Sequence, residues 1–435
     1  MVNARRPHLK SLLLRHWREL LLSLLVLLPG LLYTVGDVNA IIGDVGLQED
    51  AFYYLTIARN FMAGDGFTLD GNNLTNGFHP LQMLLLLPGA ALCSELGFLR
   101  YALLLGLLIH LATTLALHRV AARLLDKDLA LLAAGMWALS LASRAQHMNG
   151  METGLFALFF CLVFNRYHEA LAARSWASPG DRADRGRFLR VGLLLGVCYL
   201  ARLDAVIVGA ALALDYLVRA RTRAIIPLCF MAAGVLAVVI PWLLVSWAYC
   251  GSLLPDSGPA SRLVTLEMGD GYFREMFSWP EEIYRGPWWK YAWRWTGINL
   301  WFFGIMGTTW SPPFSWLLGF SNLSILSVSQ ARPLVDLWLT HPVLLGVLLA
   351  SLVLFMGYKA HRLGMGAMFL AAVTIWVFDA MYPAPPWYAE RYMVSWTLVL
   401  TLLAAFAVGA LLRFKPSRYV LPAVAAALAL IYVVQ

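Results

Sequence analysis

Two adjacent acids, Glu49 and Asp50, stand near the start of the stretch LQEDAFYYLTIARN in a largely apolar chain. On a helix that begins near Glu49, Tyr53 and Tyr54 share the face of Asp50 because they follow it by three and four positions. Arg59 lies nine positions on, about 180° away, and is expected to make a structural contact instead. Glu49 is about 100° from Asp50, so it can support that acid or favour the positive end of the helix.

Four further motifs place ionisable residues beside apolar segments. They are NGFHP with His79, NGMETG with Glu152, LARLD with Arg202 and Asp204, and WYAERY with Glu390 and Arg391. Each has a structural alternative: an interfacial histidine, an acid at a helix start, or an ion pair at a helix turn. Arg391, which stands among aromatic residues, is a candidate anion binder.

Together these groups suit group transfer at a membrane surface. A carboxylate can deprotonate an acceptor hydroxyl, and cationic side chains can neutralise a departing phosphate. A transporter would instead place its charged residues near the bilayer midplane, in paired broken helices. Most apolar segments of this chain contain no acid or base.

The composition predicts an integral membrane protein. Of the 435 residues, 60% are hydrophobic and 13% are charged. Apolar runs of about 16–22 residues recur, and about 20 residues span the hydrocarbon as a helix. The net charge of +8 comes from short basic clusters between these runs, which are typical topology signals rather than a nucleic-acid site. The five cysteines have no metal-binding spacing.

Placing the basic clusters in the cytoplasm gives about eleven spans, with the N-terminus inside and the C-terminus outside. The predicted spans are 19–36, 99–117, 129–146, 153–168, 188–202, 204–218, 224–247, 336–357, 364–381, 393–412 and 419–434.

The loops between the spans complete a single predicted membrane domain, 1–435, without a separate soluble C-terminal domain. Residues 37–98 form an external loop in which 49–63 is a helix at the membrane interface. Segment 80–93 is a second helix that lies in the interface or enters the membrane partway, and a turn region joins the two. A second external region, 251–335, is rich in tryptophan and is either an aromatic belt or a sugar- or lipid-binding platform. Its segments 296–310 and 314–330 could form an additional membrane hairpin. The polar stretch 174–187 is predicted to be a mobile cytoplasmic loop.

The motifs EDAFYYLTIARNFMAGDGF, TNGFHPLQ, NGMETGLFAL, YLARLDAVIVGA, PWLLVSWAYCGSLLPDS and WYAERYMVSW resemble the GT-C superfamily of glycosyltransferases. Members use polyprenyl-phosphate sugars and carry an acidic motif and two juxtamembrane helices in the first outer loop. The order and spacing of the motifs are most similar to the bacterial branch that contains the mycobacterial terminal arabinofuranosyltransferase and pilin arabinosyltransferases.

The resemblance implies roles for individual residues. Asp50 matches the catalytic base, with Glu49 ranked second. His79 falls where lipid-A aminoarabinose transferases have a phosphate-contacting lysine, and Glu152 falls where relatives have an aspartate. Ala51 stands where sugar transferases of this superfamily often carry a second acid, which leaves dependence on a divalent metal open.

We therefore expect an all-α GT-C membrane protein of the bacterial inner membrane with a periplasmic active site. It would transfer a sugar, possibly arabinofuranose, from a polyprenyl-phosphate donor to a glycan or protein acceptor such as pilin. Asp50 is the expected catalytic residue, and no cofactor other than the donor is expected. The expected substrate-binding residues are Glu49, Tyr53, Tyr54, His79, Glu152, Arg202, Asp204 and Arg391. The alternative is a lipid-linked sugar flippase without transferase activity.

Overall fold

The computed structural model of the protein describes residues 16–36, 47, 49–173, 182–258, 342–362, 364–381 and 389–413. The described residues are almost entirely helical, and their only β-type pairing is an isolated bridge between Thr68 and Leu74. The helices are α1 Trp17–Thr34, α2 Glu49–Ala63, α3 Pro80–Leu92, α4 Glu95–Leu124, α5 Lys127–Leu139, α6 Leu141–Met148, α7 Thr153–Ala172, α8 Arg182–Ala201, α9 Ala205–Ala220, α10 Ile225–Cys250, α11 Pro342–Arg362, α12 Gly366–Met381, α13 Ala389–Tyr392 and α14 Val394–Arg413.

Four of the described segments are long and apolar enough to cross a membrane: Trp17–Thr34, Glu95–Leu124, Thr153–Ala172 and Ala205–Cys250. The last comprises α9 and α10, joined by the short 3₁₀ helix Arg221–Ala224. Three shorter helices are also apolar: Pro80–Leu92, Gly366–Met381 and Val394–Ala410. The chain is thus a multi-pass membrane protein, and the total of about eleven spans stays a prediction.

The two helices predicted in the first long loop are confirmed as α2 and α3. They pack together through buried apolar side chains such as Leu55 and Leu86. Arg59 lies on the far side of α2 from Asp50 and donates hydrogen bonds to the carbonyls of Ala90, at 2.7 Å, and Cys93, at 2.8 Å. These contacts satisfy acceptors at the end of α3 that have no partner within the helix. Arg59 therefore has the structural role expected from its helical position.

The predicted span 129–146 is wrong as a single helix. The chain forms α5 and α6 there, and Ser140 between them has an extended backbone with ψ of 122°. The Ser140 hydroxyl accepts a hydrogen bond from the Ser143 amide at 3.2 Å, which caps the second helix. Apolar periodicity continues through such a break, so it does not reveal it.

The predicted loop 174–187 is also shorter than expected, because α8 begins at Arg182. Its residues 174–181 lie outside the described part. The same holds for residues 259–335 of the Trp-rich region, with its possible hairpin at 296–310 and 314–330, and for the predicted span 419–434.

Charged groups predicted on the same side of the membrane lie together in the structure. At one end, Arg18 pairs with Asp128 at 2.9 Å, and Arg123 pairs with Glu169 at 2.6 Å. At the other end, Glu152 precedes α7 and Arg202 follows α8, and their side chains are in contact. The relative arrangement agrees with the predicted topology.

Helices α8 and α10 cross at close range. A Cβ added at Gly192 would overlap the Met231 carbonyl, and one added at Gly234 would overlap the backbone of Leu189. Helices approach this closely in membranes when small residues stand at the crossing. This pair fixes α8, which ends beside Arg202.

We predict that Gly192→Ala destabilises the protein, because its methyl group forces α8 and α10 apart at a cost of about 1–3 kcal/mol. Gly186→Ala on the same helix is the matched control, since no atom lies within 4 Å of its added Cβ. That variant should gain up to about 1 kcal/mol from helix propensity. Thermal unfolding of the purified variants in detergent distinguishes the two, and equal effects would contradict the packing argument.

Candidate active site

Five chain segments bring their polar residues to one end of the helix bundle. Asp50 and Tyr54 come from α2, His79 from the residue before α3, and Glu152 from the residue before α7. The turn between α8 and α9 contributes Arg202 and Asp204, and the short helix α13 contributes Arg391. The structure therefore joins seven of the nine residues singled out from the sequence.

Glu152 is at the centre of this cluster and has no exposed surface. Its Oε1 accepts hydrogen bonds from Arg202 Nη1 at 2.9 Å and Arg391 Nη2 at 3.1 Å. Its Oε2 accepts a hydrogen bond from the Tyr54 hydroxyl at 3.1 Å. Burial alone would raise the pKa of Glu152, but the positive charges of Arg391 and Arg202 outweigh it and hold the pKa well below its usual value. Glu152 is therefore an ionised buried anchor.

Arg391 connects this anchor to Asp50. Its Nη1 donates a hydrogen bond to Asp50 Oδ2 at 2.7 Å, while its Nη2 contacts Glu152. The Asp50 side chain is 27% exposed, whereas that of Glu152 is fully buried and that of Asp204 is 11% exposed. Within the described residues, Asp50 Oδ1 accepts no hydrogen bond. Asp50 is therefore the carboxylate of the cluster that a substrate can reach most easily.

Arg202 contacts a carboxylate and two aromatic rings. Its Nε donates a hydrogen bond to Asp204 Oδ2 at 2.6 Å, which confirms the ion pair expected at this turn. The guanidinium carbon also lies 5.1 Å from the ring centre of Tyr392 and 5.9 Å from that of Phe156. A planar, always charged group suits such a site, and it fixes the position of Glu152.

Tyr54 and His79 complete the buried side of the cluster. The Tyr54 hydroxyl accepts a hydrogen bond from the His79 backbone amide at 3.0 Å. Burial, followed by the charge of Glu152, raises the pKa of Tyr54 well above its usual value, so the phenol stays protonated. His79 Nε2 lies 3.6 Å from Glu152 Oε1. Burial, reinforced by Arg202 and Arg391, lowers the pKa of His79 to about 4, so its imidazole is neutral at neutral pH.

One of the expected residues, Tyr53, makes no described hydrogen bond or ion pair in this cluster. Tyr53 is 45% exposed and has no contact with the cluster in the described structure, although it lies only three residues from Asp50. The face of α2 that is buried is centred on Ala51, Leu55 and Ala58, which turns Tyr53 outward. Tyr53 therefore lies on the exposed edge of the face that it shares with Asp50, and its role in substrate binding stays a prediction. The side chain of Glu49 lies outside the described part, as does that of Glu390.

The position after Asp50 has no room for a second acid. Ala51 is fully buried against Gly150, where an added Cβ would lie 2.9 Å from the Ala51 Cβ. Gly150 also has a φ of +79°, which favours glycine. Its carbonyl accepts a hydrogen bond from Gln82 Nε2 at 2.9 Å, which ties the loop to α3.

The oxygen donors that the described residues supply at this site do not fit a divalent cation. Hard cations prefer several oxygen ligands converging on one point. Here the oxygens of Glu152 already face Arg202, Arg391 and Tyr54, and the guanidinium of Arg391 lies between Glu152 and Asp50. Among the described residues, no group of three or more His, Cys, Asp or Glu side chains could hold a metal ion.

Sequence reasoning missed Asp379, which extends the cluster from α12. Its side chain is buried, and its Oδ2 has no hydrogen-bond partner among the described residues. It lies close enough to interact electrostatically with Arg202 and Asp204. The signal was present in the sequence: an acid within an apolar run is costly and is by default a functional candidate.

Asn76 attaches the first loop to the end of α10. Its Nδ2 donates hydrogen bonds to Ser246 Oγ at 2.6 Å and to the Leu254 carbonyl at 3.0 Å. Its Oδ1 accepts one from the Asp256 amide at 2.9 Å. The motifs TNGFHP and GSLLPDS are thus joined, which fixes the backbone three residues before His79.

Comparisons with known proteins give matches to solved structures only. No protein-family model and no curated protein matches the chain. The archaeal oligosaccharyltransferase AglB from Archaeoglobus fulgidus, in complex with an inhibitory peptide and a dolichol-phosphate, aligns with a TM-score of 0.50 at 13% identity. The alignment covers 97% of this chain and 55% of that one.

A second structure of the Archaeoglobus fulgidus oligosaccharyltransferase, tethered to an acceptor peptide, aligns with a TM-score of 0.46 at 12% identity. The alignment covers 92% of this chain and 50% of that one. The chain thus spans about half the length of these structures. The likeness to the AglB complex shows the fold alone: this chain shares the all-α membrane architecture of that oligosaccharyltransferase.

Proposed function

We propose that the protein is a glycosyltransferase of the bacterial inner membrane that uses a polyprenyl-phosphate sugar on the periplasmic face. The observation that carries this proposal is the contact between Asp50 and Arg391 at 2.7 Å. It places a partly exposed carboxylate beside a cation at the end of a membrane bundle. Transfer from a lipid phosphate requires such a pair, a base for the acceptor and a positive group for the leaving phosphate.

In the proposed reaction, an acceptor hydroxyl oxygen attacks the anomeric carbon of the donor sugar. Asp50 takes the hydroxyl proton as the new carbon–oxygen bond forms. The bond between the anomeric carbon and the phosphate oxygen breaks, and its electron pair leaves with the polyprenyl phosphate. Arg391 stabilises the negative charge that develops on that phosphate. The products are the glycosylated acceptor, polyprenyl phosphate and a proton on Asp50.

The buried residues of the cluster position this pair. Glu152 has both oxygens engaged and no exposed surface, so it acts on the substrate through Arg391. Arg202 and Tyr54 donate hydrogen bonds to Glu152, and Asp204 accepts one from Arg202. His79 borders the cluster as a neutral donor or acceptor for the phosphate or sugar. Tyr53, exposed on the same helix, is available to a substrate outside the cluster.

The donor and acceptor classes rest on two supports. The AglB structure contains a dolichol-phosphate and a peptide, which makes a lipid-linked donor and a glycan or protein acceptor the natural choice for the same fold. The resemblance of the outer-loop motifs to the arabinofuranosyltransferase branch favours an arabinofuranosyl donor over a hexosyl one. Pilin or an envelope glycan would be the acceptor.

The alternative, a flippase for lipid-linked sugars, predicts functional charges within the spans. The described ion pairs instead lie near helix ends, as those of Arg18, Arg123 and Arg202 show. Reconstituted protein that moves a labelled lipid-linked sugar across vesicles without releasing polyprenyl phosphate would favour the flippase.

We predict that Asp50→Asn lowers the rate of transfer by about 10²–10⁴-fold, because the amide cannot accept the hydroxyl proton. The assay uses purified protein with radiolabelled decaprenyl-phosphate arabinofuranose and, in parallel, undecaprenyl-phosphate hexoses, and measures free polyprenyl phosphate and labelled acceptor. Asp65→Asn is the matched control, an exposed aspartate in the same loop. Full transfer by a folded Asp50→Asn protein would overturn the assignment.

Replacing Arg391 tests the other half of the pair. Arg391→Lys keeps the charge, but a single ammonium cannot donate to Asp50 and Glu152 in the same forked geometry. We expect kcat to fall by about 10²-fold or more, as when one donor of an oxyanion site is removed. Arg100→Lys, an exposed position outside the cluster, should retain wild-type activity.

Thermal unfolding separates the loss of chemistry from the loss of fold in the Arg391 variant. A rise in KM with kcat unchanged would show that Arg391 serves ground-state binding alone, and this result would contradict its role in the transition state.

A further inference from the structure

We propose that a basic cavity at the end of the bundle opposite Asp50 is a binding site for the headgroup of an anionic phospholipid. The cavity lies between the ends of α4, α7 and α8 and has a volume of about 610 Å³. Arg119, Arg123, Arg166 and Arg190 line it together with Asn165 and Glu169, and Leu162, Leu193 and Leu194 form its apolar wall. It shares no residue with the proposed active site.

The arginines of the cavity are not balanced by the acids that line it. Glu169 is the single carboxylate among the lining residues, and it accepts hydrogen bonds from Arg123 and Arg166, both at 2.6 Å. Four guanidinium groups against one carboxylate leave a formal charge of +3.

Two of the four arginines are available for a ligand. Arg190 Nε donates only to the Gly186 carbonyl, at 3.1 Å. Arg119 has no hydrogen-bond or ion-pair partner in the described part of the chain. Both side chains are exposed to the cavity end of the bundle. Guanidinium groups in this arrangement bind phosphate oxygens in pairs, which fits a phosphodiester.

Glu169 and Asn165 fix the positions of two arginines that line the cavity. Asn165 is buried and its Oδ1 accepts a hydrogen bond from Arg123 Nε at 2.7 Å. Arg123 and Arg166 are thus held in place by α7, while Arg119 and Arg190 on the neighbouring helices remain adjustable. This combination positions a headgroup between α4, α7 and α8.

The leucine wall favours a lipid over a soluble anion. Leu193 is 37% exposed, and Leu162 and Leu194 continue the apolar surface beside the arginines. An acyl chain can cover these leucines while its phosphate contacts the guanidinium groups. Along α7 the step from Glu152 to Arg166 is 14 residues, about 21 Å at 1.5 Å per residue. The cavity thus lies near the opposite membrane surface, where basic pockets between helices receive anionic headgroups.

The experiment uses full-length protein that has been delipidated in a neutral detergent. Dioleoylphosphatidylglycerol and dioleoylphosphatidylcholine are added in mixed micelles, and bound lipid is counted by native mass spectrometry. We expect saturable retention of phosphatidylglycerol together with a higher unfolding temperature, and no such effect of phosphatidylcholine. An equal response to both lipids would overturn the proposal, as would an equal shift with glycerol phosphate alone, which would identify a soluble-anion site.

The test variant is Arg119→Gln combined with Arg190→Gln, because these two residues hold no ion pair in the described structure. We expect its affinity for phosphatidylglycerol to fall by about 30-fold, since each arginine near an anionic headgroup contributes roughly a factor of five. Arg100→Gln is the control and should bind as wild type does. Unchanged affinity of the double variant would contradict the assignment.

A measurement on the wild type covers the case in which the double variant does not fold. Phosphatidylglycerol with a photoreactive group near the headgroup is cross-linked to the native protein, and the labelled peptides are sequenced. Labelling of the α7 and α8 peptides around Arg166 and Arg190 is expected. Labelling elsewhere, with none in these peptides, would overturn the proposal.

Discussion

A carboxylate without exposed surface needs charged partners, and this requirement of Glu152 organises the functional end of the molecule. Removing one partner of a buried ion pair costs about 3–5 kcal/mol, because the other charge is then left buried without compensation. Arg202, Arg391 and Tyr54 satisfy Glu152, and they come from three segments that are far apart in the sequence. Because each partner must reach the same buried point, the loop before α7, the turn after α8 and helices α2 and α13 are fixed relative to one another.

This arrangement separates the acids by exposure and so gives them different tasks. Glu152 is fully buried, and Asp204 accepts a hydrogen bond from Arg202. Asp50 is partly exposed, and one of its oxygens accepts a hydrogen bond from Arg391. The ranking of Asp50 above Glu49 comes from the family resemblance and stays a prediction. Glu152 had two expected roles, binding the acceptor or supporting another residue of the site, and its occupied oxygens favour the second. Preorganised charge of this kind is the usual means by which enzymes stabilise a developing anion.

The sequence allowed some of this to be predicted, and the reasons for the failures are physical. Helix 49–63 was predicted at its observed bounds, because its apolar positions recur at helical spacing and a turn-rich segment follows. The basic clusters correctly grouped His79, Glu152, Arg202 and Arg391 on one side. The contact between Asp50 and Arg391 spans 341 residues, and no local pattern encodes a pairing over that distance.

Other features that the sequence did not reveal concern side-chain orientation and local breaks. A helical projection places Tyr53 near Asp50, but the packing of α2 against its neighbours decides which edge of that face is buried. Ser140 interrupts an apolar run through a cap that hydropathy does not register. Asp379 was passed over because it stands alone in an apolar run, and only the fold shows that it lies beside Arg202 and Asp204.

The contact between Ala51 and Gly150 limits which charged groups can lie beside Asp50. A second acid next to Asp50 would have to displace the loop that carries Glu152, because Ala51 is fully buried against Gly150. The same loop delivers Glu152 to Arg391, so the packing that excludes another carboxylate also fixes the guanidinium. In the described structure the positive group beside Asp50 is thus Arg391, which is held on both sides by carboxylates. Its position depends on the packing of α13 against the loop before α7 and against α2.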